Sequence, residues 1–129
     1  MLRALLIYLS QAAWARRFIM AFPLARRTAL RFVAGEELED ALRVSAELNQ
    51  QDMLVTLDLL GEHTADPEAA RKATEDILTT LDRLSTSGLR AGLSLKLTQL
   101  GLKLDEELCA RNLESILRRA QQHGLFVRI

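Results

Sequence analysis

The chain has 129 residues, 49% of them hydrophobic and 26% charged, which is enough for one ordinary domain and too apolar for a disordered one. Its 17 basic and 17 acidic side chains cancel, so no overall field draws it to nucleic acid, and no nucleic-acid partner is expected. A single cysteine, Cys109, excludes an internal disulfide framework and suits a reducing, cytoplasmic compartment; within its helical pattern it reads as a small packed side chain rather than a nucleophile.

The charge is unevenly spread. Residues 1–35 hold six arginines (Arg3, Arg16, Arg17, Arg26, Arg27 and Arg31) and no acid, while the remainder holds 17 acids against 11 bases, a net of six negative charges. The same arm carries Leu5, Leu6, Ile7, Tyr8, Trp14, Phe18, Ile19, Phe22, Leu30 and Phe32, so it is amphipathic as well as basic. Helices are predicted over 2–9, 12–21, 24–34 and 36–49, with Pro23 punctuating the second and third and Gly35 ending the third. In "EELEDALRVSAEL" (36–48) acids occupy the first turn, where the positive end of a helix favours them. "ALLIYL" (4–9) is too short and too closely followed by arginines for a signal peptide, and no run is long enough to span a bilayer. The arm is read as a docking element, with peripheral attachment to the inner face of the cell membrane as the alternative.

From residue 50 the rhythm changes. "MLVTLDLLG" (53–61) sets Thr56 and Asp58 two apart in an apolar run, as a strand does. In "TADPEAARKATEDILTTLDRLSTSG" (64–88), Asp66 is a helix N-cap, Pro67 a first-turn residue and Gly88 a C-terminal stop. Ala70, Ala73, Ile77, Leu81 and Leu84 mark its apolar face. "LSLKLTQLG" (93–101) reads as a second strand, with Leu93, Leu95 and Leu97 on one face and Ser94, Lys96 and Thr98 on the other. That places a cation among leucines, where it needs water or an anion. A helix then opens at Asp105 and Glu106, buries Leu108, Leu113, Ile116, Leu117 and Ala120, and ends near Gly124. Asp105, Glu106 and Glu107 are its charged first turn, not a catalytic cluster. "LFVRI" (125–129) begins a third strand. His63 and His123 have no metal-ligand spacing, so no zinc site is expected.

The predicted organisation is therefore a helical arm (1–49) followed by β-α-β-α-β (50–129), whose helical crossovers join parallel strands. Each strand is aliphatic on one parity and polar on the other: Thr56 and Asp58, Ser94 and Lys96, Phe126 and Arg128. A doubly wound sheet would be apolar on both faces. The pattern favours an α/β fold of the (β/α)8, TIM-type barrel class, whose active sites lie at the C-terminal ends of the strands. Such a barrel takes about 250 residues, so the chain is read as its incomplete N-terminal part.

"LDLLGE" (57–62), "LSLKLTQLGL" (93–102) and "FVRI" (126–129), preceded by "RFVAGEELEDAL" (31–42), resemble bacterial proline dehydrogenase over essentially the whole chain. The resemblance implies a distorted barrel with non-covalent FAD that oxidises L-proline to 1-pyrroline-5-carboxylate and passes electrons to a membrane quinone. It assigns Lys96 to the proline carboxylate, and Glu62 to a substrate gate in which the acid pairs with an arginine of the closing element. It supplies no catalytic residue within this chain. The family's aspartate after the third strand, its arginine pair and most flavin contacts fall beyond Ile129, so the chain alone is expected to be inactive. Two other readings stand beside it: a Schiff-base enzyme using Lys96, and a non-catalytic helical interaction fragment.

Overall fold

A computed structural model of the chain describes residues 34–35, 37–61 and 64–129. The helices predicted over 2–9, 12–21 and 24–34 lie outside the described residues, apart from Ala34. The compact unit described here runs Leu38–Ile129. Its elements are α1 (Leu38–Asn49), β1 (Val55–Asp58), α2 (Pro67–Ser87), β2 (Ala91–Ser94), α3 (Glu106–His123) and β3 (Val127–Arg128).

All three strands are parallel, in the order β1-β2-β3. Residues of α2 and α3 share one buried cluster with Leu93, so both helices cover the same side of the sheet. This is the α/β arrangement expected from the alternating pattern, and it is compatible with part of a barrel. Leu57 pairs with Leu93 and Leu93 with Val127, making an apolar row on the helical side. Leu93 joins Ile77 and Leu81 of α2, Ile116 and Ala120 of α3, and Leu95, Leu100 and Cys109 in one buried cluster. Truncating one of its large side chains to alanine costs about 2–5 kcal/mol.

Both crossover helices start and stop where the sequence says. The Asp66 carboxylate accepts from the Ala69 N–H at 2.8 Å, Pro67 sits in the first turn, and Gly88 turns the chain with φ 68°. Asp105 accepts from Glu107 and Leu108, at 2.8 and 3.2 Å, and Gly124 closes α3 with φ 65°. A left-handed turn at these φ values favours glycine. Of the predicted face of α2, Ala70, Ile77, Leu81 and Leu84 are buried and Ala73 is half-buried, while Thr74 and Thr80 are buried as well. Their hydroxyls are satisfied by donating to the carbonyls four residues back, Ala70 and Asp76.

Two expectations need correcting. Leu117, expected in the core of α3, is 41% exposed, and Leu108 and Leu113 are only half-buried; the buried stripe runs Cys109, Asn112, Ile116 and Ala120. The stripe is turned because Asn112 faces inward to donate to the Leu100 carbonyl at 3.1 Å. Secondly, the strand predicted over 93–101 is Ala91–Ser94, and the chain from Leu97 to Leu104 folds into consecutive turns. Gln99, Leu100 and Leu102 donate their N–H groups to Lys96, Leu97 and Leu97, and Gly101 takes φ 97°. Leucine alternation persists through these turns because Leu95 and Leu100 still plug the core.

The opposite end of the sheet is fastened to α1. The Asn49 side chain accepts from the Arg90 N–H at 2.7 Å and donates to the Met53 carbonyl at 2.9 Å. Arg90 answers with a guanidinium bond to the Asn49 carbonyl and an ion pair to Asp52.

Candidate functional site

The sheet's other face is polar, and its residues assemble by register. Asp58 pairs with Ser94 and Ser94 with Arg128, so the three side chains form a row across all three strands. At the usual strand spacing the row spans roughly 10 Å. One rung earlier, Thr56 pairs with Gly92. A side chain at Gly92 would meet the Phe126 carbonyl oxygen at 2.8 Å and its ring at 3.3 Å, so glycine is required by this close approach. Phe126 itself is 67% exposed on this face.

Lys96 follows β2 by two residues and keeps the parity of Ser94, beside this row. Its Nζ lies 4.0 Å from Asp58 Oδ2, and the two side chains are 42% and 43% exposed. The sequence suggested a buried ammonium group; the described site is half-open. At that distance and exposure the ion pair contributes little to stability. Strand register, not this pair, brings a cation, a carboxylate, a hydroxyl and a guanidinium to the C-terminal strand ends. A carboxylate-bearing ligand entering such a face would compete with Asp58 for the ammonium group.

The turns that carry Lys96 are pinned from three directions. Thr64 donates to the Thr98 carbonyl at 3.0 Å, Asn112 to Leu100, and the Cys109 thiol to the Leu97 carbonyl at 3.6 Å. Burial raises the Cys109 thiol above its ordinary value, which disfavours the thiolate and leaves it a packing group, as its helical setting suggested. Gln99 contributes the remaining tie and is 3% exposed. Sequence reading passed over Gln99 and Asn112. Both are polar residues at inward positions of an apolar repeat, the one signal that pointed to them.

Glu62 and His63 lie outside the described residues. His123 joins a different group. Its Nε2 lies 2.8 Å from Asp82 Oδ1, and Arg119 grips the same carboxylate with two hydrogen bonds. The Arg119 hydrogen bond, then that of His123, hold the Asp82 carboxyl below its ordinary range. This group clamps α2 to α3. Asp105, Glu106 and Glu107 are the cap and first turn of α3, as read. Among the described residues no three His, Cys, Asp or Glu side chains gather as metal ligands, and no helix is long and apolar enough to cross a membrane.

No family model matches the chain. It is 36% identical, over 129 residues, to proline dehydrogenase 1 of Bacillus subtilis, a match covering 100% of this chain and 42% of that protein. Proline dehydrogenase 2 of the same organism is 33% identical over 105 residues, which is 81% of this chain and 35% of the relative. The proline dehydrogenase of Deinococcus radiodurans is 30% identical over 100 residues, 75% of this chain and 32% of the relative. The chain thus spans well under half the length of these curated relatives.

Proposed function

From a chain that is homologous along its whole length to bacterial proline dehydrogenases, we propose that it forms the first part of a proline-oxidising (β/α)8 barrel in which Lys96 binds the substrate carboxylate. The observation that carries this reading is the polar row at the C-terminal strand ends. Asp58, Ser94 and Arg128 lie side by side there, with the Lys96 ammonium next to them. In a barrel that face is the interior, and its C-terminal rim is where ligands bind.

In this reading proline enters with its carboxylate toward Lys96, which exchanges the Asp58 contact for a charge-assisted one. The contact selects an amino acid with a free carboxylate and fixes the ring over the reacting group. The hydride is taken by FAD, whose chemistry is its own and whose electrons pass on to a quinone. The helix N-termini of α2 and α3 are already capped by the Asp66 and Asp105 carboxylates, which repel a second anion. Flavin binding therefore belongs, on this reading, to parts of the barrel that this chain does not match, and the chain alone is inactive. Glu62 keeps its proposed role at the substrate gate.

Fusing the chain to the part of the Bacillus subtilis relative outside the match tests the proposal. Proline-dependent dye reduction by the fusion, with KM raised on the order of a hundredfold by Lys96→Met, is expected for a lost charge-assisted contact. An unchanged KM in Lys96→Met overturns it. Bound flavin and proline turnover in the 129-residue chain alone overturn its proposed inactivity.

A further inference from the structure

The ladder between β1 and β2 begins with the Val55 N–H donating to the Arg90 carbonyl. In a parallel pair such rungs alternate at two-residue steps. Carried up the strands from Val55, the series reaches a last rung in which the Lys96 N–H would donate to the Leu59 carbonyl. That direct bond is replaced. Gln99 Oε1 accepts from the Lys96 N–H at 3.0 Å, and Gln99 Nε2 donates to the Leu59 carbonyl at 2.6 Å. The Gln99 backbone N–H also donates to the Lys96 carbonyl at 2.9 Å, so one residue holds both peptide groups of the lysine. On the other side β2 stays zipped to β3 one step further, with the Leu93 and Leu95 N–H groups donating to Phe126 and Arg128.

We propose that Gln99 is a positioning residue whose carboxamide stands in for one rung of the sheet, parts β1 from β2 by an amide's width, and fixes the origin of the Lys96 side chain beside Asp58. The inference rests on Lys96 being the carboxylate-binding lysine. A buried glutamine needs both ends of its amide satisfied, and many positions in a core would provide that. Gln99 finds its two partners on the two strands that carry the candidate ion pair, at the point where they diverge. Opening there widens the rim without breaking the apolar row beneath, and only a side chain with a donor and an acceptor in one plane fits the gap.

Two measurements separate this proposal from the reading it rests on. The first uses the 129-residue chain and amide hydrogen exchange. Gln99→Met keeps the volume and loses both bonds, and should speed exchange at Lys96 on the order of tenfold or more, the usual worth of one net hydrogen bond. Leu93 and Leu95 should keep their protection; an equally protected Lys96 amide overturns the wedge. Should Gln99→Met not fold, Gln99→Glu takes its place. Its carboxyl accepts from the Lys96 N–H in either protonation state but can donate to the Leu59 carbonyl only while protonated, so the urea midpoint of Gln99→Glu should rise relative to the parent as pH falls, with Lys96 protected throughout, and a midpoint difference that does not change with pH overturns the wedge. The second uses the fusion described above. Gln99→Met should raise KM for proline about tenfold with kcat little changed, the mark of lost ground-state binding. A fall in kcat at unchanged KM overturns the positioning role. A parent fusion that does not oxidise proline overturns the role toward that substrate, and the exchange data then judge the wedge by itself.

Discussion

Leu93 and Ser94 are neighbours in the chain and share a strand, but they belong to different problems. Leu93 is fully buried in the row Leu57–Leu93–Val127, under two helices whose ends are capped and whose buried hydroxyls are bonded. Ser94 lies in the row Asp58–Ser94–Arg128, next to a half-exposed ion pair and an exposed phenylalanine. Strand geometry requires this division, because successive side chains point to opposite faces. One face is held by packing, where volume and burial decide. The other is open, and its groups are held in place by backbone register and by the turns at the strand ends rather than by contacts with each other. A site built in this way can exchange its internal partners for a ligand at little cost in stability.

The contrast breaks most visibly if the apolar row is attacked. Leu93→Ala removes a side chain at the centre of the cluster, in contact with both helices, and should cost about 2–5 kcal/mol in urea denaturation. A loss well below that range would mean that the apolar face carries less of the stability than its burial implies.

How far this division could be read in advance differs from element to element. Asp66, Pro67 and Gly88 bracket α2, and Asp105 and Gly124 bracket α3, because capping depends on residues adjacent in sequence. The order and parallel sense of the strands followed from alternating crossovers, and the polar row from parity. The strand end at Ser94 was not legible. Leu95, Leu97 and Thr98 continue the alternation, and the chain turns because Gln99, Asn112 and Thr64 bond to it from positions as far as 34 residues away. The inward turn of α3 was hidden for the same reason: Asn112 is a core residue only because the Leu100 carbonyl waits for it. Periodicity reports which side chains avoid water, and it does not report which buried carbonyl needs a donor.

The helical layer offers a subtler way to sharpen the comparison, through pH. Asp82 takes hydrogen bonds from Arg119 and His123, and its carboxyl is held below the ordinary range. A depressed carboxyl contributes stability that is present above its unfolded value, about 3.9, and is lost as pH falls through the lower folded value. The thermal midpoint of the parent chain should therefore exceed that of Asp82→Asn at neutral pH, with the difference closing in the acid range. A difference that stays constant down to the most acidic measurable pH would show that the carboxylate's charge is not what clamps α2 to α3.

The smallest effect on stability is expected where the effect on function is greatest. Asp58 and Lys96 stand 4.0 Å apart with more than two fifths of each side chain in water, so neither depends on the other for desolvation. Exposed pairs of this kind contribute about 0.2–1 kcal/mol. Asp58→Asn and Lys96→Met should each change the unfolding free energy by no more than that, and the double variant should differ from the sum of the singles by less than about 0.5 kcal/mol. A coupling several times larger would identify the pair as a structural staple, and a lysine committed to Asp58 in that way could not also be released to a substrate carboxylate. Near-zero coupling shows that Asp58 does not commit the ammonium group, which is the condition the proposed exchange of that contact for a substrate carboxylate needs.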